Sequence, residues 1–218
     1  MLKYKCLVLD HDDTVVKSTP TIHYPAFQNT LKKIRPDIDM SLEDFLLYSF
    51  DPGFSSLCMD LLKFTEDEMN IQYDSWNEHV NRSIPSFYEG FDNIIKRQKS
   101  EGGLVCVVSH SNSVNILRDF NKNFGIEPDM IFGWELGEEK RKPSPYPLKE
   151  IMRIYDLSPK ELLMVDDLKP GYDMAKACNV DFACAGWAHQ IPKISEFMKK
   201  NCDYYFDDVR KLEQFLFN

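Results

Sequence analysis

Residues 4–14 of the chain read YKCLVLDHDDT. The apolar run from Tyr4 to Leu9 contains one charged residue, Lys5, and ends abruptly at an acidic cluster that starts with Asp10. Continuous rather than alternating apolarity is typical of a strand buried on both faces, as in a parallel sheet. This stretch therefore predicts a buried first strand that delivers carboxylates to one edge of a sheet.

Three more apolar runs have the same character as the first. They span residues 104–108, 162–165 and 182–185. A helix-like segment precedes each of them, for instance 91–98 before the first and 148–155 before the second. Residues 158–161 carry another helix-start signal. Strands that alternate with helices predict an α/β fold, with a parallel sheet, helices on both faces and right-handed crossovers.

The stretch from residue 18 to residue 85 breaks this alternation. It shows helical periodicity and two capping-box signals, at 41–44 and 65–68, but no convincing buried strand. Its only glycine, Gly53, lies in a turn signal between two helices. We predict a helical cap at 18–85, inserted after the first strand into a core formed by 1–17 and 86–218.

Composition narrows the possible partners. The chain of 218 residues has a formal charge of −9 and a pI near 5.1, which repels nucleic-acid backbones and anionic lipid surfaces. It contains no run of 18 apolar residues, and the apolar stretch near the N-terminus is too short for a signal sequence. Six cysteines are scattered without a C-x-x-C pair. We expect a cytoplasmic protein with reduced thiols and neither a nucleic-acid nor a membrane partner.

Asp10 and Asp12 supply the first chemical hypothesis. Residues two apart in an extended segment point the same way, so both carboxylates can enter one crevice at the carboxyl edge of the sheet. Open α/β sheets bind ligands at that edge. Clustered carboxylates repel each other and need a cation, a proton or a lysine nearby. Taken alone, the cluster fits an acidic strand-to-loop transition equally well.

Later strand ends add complementary groups. The second apolar run is followed by Ser109, with a hydroxyl and free backbone N–H groups, and the third by Asp166 and Asp167; Lys142 lies between them in the chain. Carboxylate oxygens suit a hard cation, whereas hydroxyl, amide and ammonium groups donate to phosphoryl oxygens. Together they predict a Mg²⁺–phosphate site with Lys142 at its rim.

These motifs resemble those of the haloacid dehalogenase-like (HAD) superfamily, in its capped phosphatase branch of phosphoglycolate phosphatase and β-phosphoglucomutase-like proteins. The resemblance extends over essentially the whole chain and implies a Rossmann-like core with a helical cap. Four motifs match in order: Asp10-His11-Asp12-Asp13-Thr14, Ser109, Lys142-Pro143, and Asp166-Asp167 with Lys169-Pro170-Gly171. Any one motif is weak, but four in order at these spacings are a specific signal.

The resemblance implies catalytic roles for four residues. Asp10 would be the nucleophile that takes the phosphoryl group as an aspartyl phosphate. Asp12 would protonate the leaving alcohol and then activate water. Ser109 and Lys142 would bind the nonbridging phosphate oxygens.

The same resemblance implies a metal site. Mg²⁺ would be bound by the carboxylates of Asp10 and Asp167 and by the backbone carbonyl of Asp12, with Asp166 in support. The chain departs from the usual pattern at His11, where an aliphatic residue is common. We interpret His11 as a packed or partly exposed side chain rather than a proton-transfer group.

His110, directly after Ser109, is a further candidate phosphate-binding residue that could reach the leaving group. A lone histidine at such a position is more often an ordinary loop residue.

Residues of the cap are candidates for substrate specificity. They are Asp51, Gly53, Phe54 and Ser55 in the predicted turn, and Lys17 directly before the insertion, where cap and core join. The alternative for the turn is an ordinary connection between two helices. Lys17, Arg35 and Arg82 fit solvated surface positions equally well, and the cap aromatic residues, Phe54 included, have the spacing of core residues.

The function that we expect is Mg²⁺-dependent hydrolysis of a small phosphorylated metabolite. A sugar phosphomutase of the same fold is the nearest alternative, but it must hold a second phosphate, usually with cap cations, and residues 51–56 contain none. Asp12 argues against a dehalogenase or a phosphonatase. A phospho-signalling receiver domain is about half as long and lacks the insertion. The oligomeric state stays open.

Overall fold

The computed structural model of the protein describes residues 2–218. Six strands form one sheet: β1 Cys6–Leu9, β2 Leu104–Val108, β3 Met130–Phe132, β4 Leu162–Asp166, β5 Asp181–Ala185 and β6 Tyr204–Phe206. The α-helices are α1 Tyr24–Ile34, α2 Leu42–Phe50, α3 Phe54–Ser56, α4 Glu66–Arg82, α5 Phe91–Ser100, α6 Ser113–Phe124, α7 Tyr146–Tyr155, α8 Lys169–Ala177, α9 Pro192–Asn201 and α10 Val209–Phe217. Short 3-10 or π-helical turns lie at Thr19–His23, Leu57–Leu61, Trp134–Leu136 and Pro159–Glu161.

The sheet is parallel throughout, in the order β3-β2-β1-β4-β5-β6. The strand order reverses next to β1, so right-handed crossovers place helices on both faces of the sheet. Leu9 at the end of β1 pairs with Val107 of β2 and Val165 of β4. The three central strands therefore end level with one another. The predicted α/β fold is confirmed.

The core explains why these segments form strands. Every residue of β1 is buried, and Leu7 and Leu9 pack in one cluster with Val107, Phe91 and Phe120. Full burial of each such side chain stabilises the fold by about 1.5–3 kcal/mol. The cysteines of residues 2–218 are all free, as expected from their scattered positions.

Local predictions and structure differ at three places. The capping residues at 158–161 do cap, but they cap a single 3-10 turn, because Leu162 already pairs with Cys6 in the sheet. The edge strands β3 and β6 were not predicted. Each has three half-buried residues, so neither shows the continuous apolar run of a central strand.

The chain divides into two compact units. One contains the sheet and comprises the residues up to Val16 together with Ser86–Asn218, and the other is Lys17–Pro85. The chain leaves the first unit and re-enters it at paired residues, because Val16 forms an antiparallel bridge with Phe87. The amide of Tyr88 also donates to the carbonyl oxygen of Val15, at 2.9 Å.

The unit Lys17–Pro85 is helical and has a core of its own, in which Phe27 and Phe45 pack with ring centroids 5.0 Å apart. Helix α4 begins with the capping box of Thr65 and Glu68, as predicted, and Ser41 caps α2. No helix formed by residues 2–218 combines the length and apolarity needed to cross a membrane.

Candidate active site

The carboxyl ends of β1, β2 and β4 bring the sequence motifs together. Asp10 follows β1, Ser109 follows β2, and Asp166 is the last residue of β4. The amide of Asp10 donates to the carbonyl oxygen of Val165 at 2.8 Å, which extends the β1–β4 pairing by one residue. Asp10, Ser109 and Asp166 are all buried. The parallel register thus collects side chains from distant parts of the chain at one edge.

Lys142 links two of the carboxylates. Its Nζ donates to Asp10 Oδ1 and to Asp166 Oδ2, both at 2.6 Å. We predicted that this ammonium group would lie at the rim of the site. That prediction is wrong, because Lys142 is buried, with 8% of its surface exposed. Two carboxylates compensate the charge inside, which makes burial of the ammonium group tolerable.

Burial and mutual repulsion perturb these groups. Burial raises the pKa of Asp10 well above its usual range; Lys142 opposes this effect, and the charge of Asp166 adds to it. Burial likewise raises the pKa of Asp166 to about 6, again against the effect of Lys142. For Lys142, burial lowers the pKa, but Asp10 and Asp166 outweigh it and raise the pKa overall, so the side chain stays charged.

Asp12 lies half-buried in the turn after β1. Its Oδ2 accepts hydrogen bonds from the Ser111 hydroxyl at 2.5 Å and from the Ser109 hydroxyl at 3.4 Å. Ser111 was not predicted, although its two-residue spacing from Ser109 was a usable signal. The arrangement holds the Asp12 carboxylate beside the hydroxyl expected to bind phosphate.

The backbone after β2 is less free than expected. The Ser109 amide donates to the carbonyl oxygen of Phe132 at 3.0 Å, and the Ser111 amide donates to Ser109 Oγ at 3.2 Å. We expected free backbone N–H groups here, but those of Ser109 and Ser111 already have acceptors within the protein.

Three carboxylates form a set suited to a divalent cation. One oxygen from each of Asp10, Asp166 and Asp167 lies within 4.8 Å of the others, and all three residues are buried. Oxygen donors of this charge fit Mg²⁺, which prefers hard ligands. Gly171 leaves room for this arrangement, because a Cβ at that position would lie 2.1 Å from Asp166 Oδ2.

Asp167 is also held by residues outside the predicted motifs. Its Oδ1 accepts from the Thr14 hydroxyl at 3.3 Å, and His189 Nε2 lies 2.7 Å from its Oδ2. His189 Nε2 is also 3.7 Å from Asp13 Oδ2. Burial lowers the pKa of His189, but the hydrogen bond and charge of Asp167 outweigh it and raise the pKa overall. His189 was missed, although it follows the predicted strand 182–185 closely.

The two histidines of the predicted motifs have different surroundings. His11 Nε2 lies 3.2 Å from Asp119 Oδ2, and the ring stacks on Phe120, so His11 is a packed side chain as we expected. His110 Nε2 lies 3.0 Å from the backbone oxygen of Lys142. Burial and the charge of Lys142 lower the pKa of His110 to about 3, which keeps its ring neutral.

The candidate specificity residues belong to the unit Lys17–Pro85. Asp51 and Gly53 form the turn between α2 and α3, and Ser55 lies in α3. Phe54 packs edge to face on Phe27 and Phe45, as its core-like spacing predicted.

Two of the cations considered from the sequence form ion pairs within the unit Lys17–Pro85, and the third is exposed. Arg35 is paired with Glu68, and Arg82 with Glu78, so both are engaged within their own unit. Lys17 is exposed.

A family model for haloacid dehalogenase-like hydrolases matches residues 7–185, a range that includes all four motifs. The chain belongs to the haloacid dehalogenase-like hydrolase family. The resemblance inferred from the motifs is therefore confirmed, and the protein is an enzyme of this family. No curated protein sequence matches the chain significantly.

Solved structures of HAD-like proteins share the fold over at least 96% of the chain. CbbY from Rhodobacter sphaeroides in complex with phosphate is 17% identical, with 96% of each chain covered and a TM-score of 0.75. A CbbY mutant from the same organism, in complex with xylulose-(1,5)bisphosphate, is 18% identical, also with 96% of each chain covered and a TM-score of 0.75. A predicted phosphoglycolate phosphatase from Haemophilus somnus is 20% identical, with 99% of each chain covered and a TM-score of 0.75.

Proposed function

We propose that this HAD-like enzyme is a Mg²⁺-dependent phosphatase that hydrolyses a small phosphomonoester through an aspartyl phosphate. The observation that carries the proposal is the convergence of Asp10, Asp12 and Lys142 at the carboxyl edge of the sheet. Asp10 and Lys142 are in direct contact, and Ser109 donates to Asp12. These groups provide a nucleophile, an acid–base and two phosphate ligands within one cluster.

In the first step, a carboxylate oxygen of Asp10 attacks phosphorus, and the bond between phosphorus and the ester oxygen breaks. Asp12 gives its proton to the departing alkoxide, which leaves as an alcohol. The phosphoryl group is then covalently attached to Asp10. The Lys142 ammonium and the Ser109 hydroxyl donate to the nonbridging oxygens, where negative charge develops.

In the second step, water attacks the phosphorus atom of the aspartyl phosphate. Asp12, now deprotonated, takes the proton of that water, and the bond between Asp10 and phosphorus breaks. Inorganic phosphate leaves, Asp10 is a carboxylate again, and Asp12 carries the proton needed for the next turnover. The Ser111 hydroxyl group, which donates to Asp12 Oδ2, holds Asp12 in place between the two steps.

The residues suited to bind Mg²⁺ are Asp10 and Asp167, with Asp166 in support. The family resemblance adds the backbone carbonyl of Asp12 to this set. When bound, Mg²⁺ supplies positive charge that neutralises the repulsion between the phosphate dianion and the nucleophilic carboxylate. Lys142 contributes to the same neutralisation from the side of Asp10 and Asp166.

The unit Lys17–Pro85 is proposed to act as a cap that selects the substrate through Asp51, Gly53, Phe54, Ser55 and Lys17. His110 remains a proposed neighbour of the phosphate. A phosphomutase is the nearest alternative, but it must hold a second phosphate, and the proposed specificity loop 51–56 contains no cation. Similarity to CbbY and to a phosphoglycolate phosphatase supports a small phosphorylated metabolite as the substrate class. Release of inorganic phosphate from a panel of such metabolites identifies the compound.

Asp12→Ala tests the two-step mechanism. The leaving group of p-nitrophenyl phosphate is a stable anion and needs little help from an acid, whereas hydrolysis of the phosphoenzyme always needs the base. We expect a burst of p-nitrophenol near one equivalent per active site, slow turnover afterwards, and one added phosphoryl group on the peptide that contains Asp10.

The control is Asp207→Ala, which removes an exposed carboxylate paired with Lys211 and is expected to turn over like the wild type. Absence of both the burst and the labelled peptide in Asp12→Ala, with normal Mg²⁺ binding, contradicts the covalent mechanism.

A further inference from the structure

The loop after β5 reaches the candidate metal ligand Asp167 by two routes. His189 contacts Asp167 Oδ2 directly, at 2.7 Å. Trp187, two residues earlier, donates from its indole Nε1 to the carbonyl oxygen of Thr14 at 3.1 Å. The Thr14 hydroxyl in turn donates to Asp167 Oδ1 at 3.3 Å. Both oxygens of one carboxylate are thus held through a single loop.

The charges at this end of the sheet divide into two groups. Lys142 bridges Asp10 and Asp166. His189 lies between Asp167 and Asp13 on the other side, and its side chain is 5% exposed. A polar ring buried to this extent loses its hydration, so a stable position requires a polar partner. Asp167 is that partner, and the ring and the carboxylate fix each other's orientation.

We propose that His189 is a positioning residue that orients Asp167 for the divalent cation, assisted by Trp187 through Thr14. The inference rests on the proposed function, because it assumes that Asp167 binds the metal. Carboxylates that bind metals are usually held by hydrogen bonds from neighbouring residues, and loss of such a neighbour typically weakens metal binding about 10- to 100-fold. His189 acts through Asp167 and does not touch the substrate.

Replacing His189 with two amide side chains of different length tests this role. In His189→Gln, the terminal N–H group can occupy the place of the histidine Nε2, whereas the shorter side chain of His189→Asn cannot reach Asp167. Affinity is measured with Mn²⁺, whose free-ion electron paramagnetic resonance signal falls on binding, so no catalytic turnover is needed. We expect Mn²⁺ to bind about 10- to 100-fold more weakly to His189→Asn and within about threefold of wild type to His189→Gln.

Trp187→Phe tests the second route to Asp167 and is an independent test if His189→Asn folds poorly. It keeps an aromatic ring beside Phe91 and Tyr88 but removes the N–H group that holds Thr14. We expect weaker Mn²⁺ binding by roughly three- to tenfold, because this route to Asp167 is indirect. His79→Gln, a histidine substitution in the other unit, serves as the control and is expected to bind Mn²⁺ like the wild type.

The outcomes separate the two levels of the proposal. If wild type binds Mn²⁺ and both His189→Asn and Trp187→Phe bind it equally well, His189 has no positioning role and the metal site stands. Equal weakening in His189→Asn and His189→Gln also overturns the role, since the reach of the donor would then be irrelevant. Absence of Mn²⁺ binding in the wild type overturns the metal site together with this inference.

Discussion

Lys142 and its two carboxylates form a buried ionic group whose members depend on one another. An ammonium group removed from water costs several kcal/mol, and so does each carboxylate, but their mutual attraction offsets much of that cost. The pKa of Asp10 is raised by burial even with Lys142 in place. Without Lys142, Asp10, the proposed nucleophile, would be harder still to keep ionised, so the lysine contributes to the fold and to the proposed chemistry.

Lys142→Met tests this double dependence, because methionine retains an unbranched side chain without the charge. We expect turnover to fall by about two to three orders of magnitude, and the metal-free protein to lose roughly 3–5 kcal/mol of stability, because two buried carboxylates lose their partner. Thermal melting and p-nitrophenyl phosphate turnover measure the two effects. Adding Asp166→Asn should restore part of the stability but not the turnover. If Lys142→Met has the same melting temperature as the wild type, Lys142 has no structural role.

Asp166 should give the metal-free protein a distinctive dependence on pH. Its pKa is raised from 3.8 to about 6, so the native state binds more protons than the unfolded state between these values. The contribution of Asp166 to stability therefore increases as pH falls through this window. Relative to Asp166→Asn, we expect wild type to gain about 1–3 kcal/mol between pH 7 and pH 4. Denaturant unfolding at several pH values measures the difference, and a constant difference would contradict the raised pKa.

Sequence reasoning found the site residues that directly follow a buried strand. Asp10, Ser109 and Asp166 could be placed because parallel strands end at one edge. Ser111 and His189 were missed, since their contacts depend on the path of a loop, which apolar periodicity does not encode. The depth of Lys142 was also wrong, because burial of a lysine depends on carboxylates far away in the chain.

At the scale of elements, continuous apolarity identified the central strands well. Residues 104–108 were predicted with the observed bounds, and 162–165 lacked only Asp166. The edge strands β3 and β6 escaped prediction, because each has one neighbour in the sheet and a short, half-exposed sequence. Burial on both faces of the sheet produces the continuous apolar run, so sequence patterns identify central strands more readily than edge strands.

Helix α8 starts beside the carboxylates proposed to bind the metal, and Gly171 in its first turn allows the close approach. A Cβ there would lie 2.1 Å from Asp166 Oδ2, so Gly171→Ala must displace Asp166 or the helix. We expect about 1–3 kcal/mol of destabilisation and weaker Mg²⁺ activation, seen as a higher Mg²⁺ concentration for half-maximal rate. The control, Ala177→Gly at the exposed end of the same helix, should cost less than about 1 kcal/mol with unchanged Mg²⁺ dependence. Unchanged Mg²⁺ dependence in Gly171→Ala would contradict this role for the glycine.

At the scale of the whole molecule, the inserted unit Lys17–Pro85 joins the rest of the chain at two adjacent, paired points. A short Asn-Gly turn in place of residues 18–85 should therefore leave the sheet unit able to fold. We expect this variant to keep Mg²⁺-dependent hydrolysis of p-nitrophenyl phosphate and to lose discrimination among phosphorylated metabolites. Circular dichroism and kcat/KM values across a substrate panel measure both properties. An unchanged order of substrates would exclude the inserted unit as the specificity element.

The pairing of Val16 with Phe87 has a further consequence, which concerns chain entropy. When the inserted unit is unfolded, Val16 and Phe87 close a long flexible loop, and this closure costs about 2–3 kcal/mol more than closing a tight four-residue turn. A folded insertion already has its ends fixed, so that cost disappears. Folding of Lys17–Pro85 therefore stabilises the sheet unit even without a single contact between the two, and a mutation deep in the insertion weakens the structure that holds Asp10.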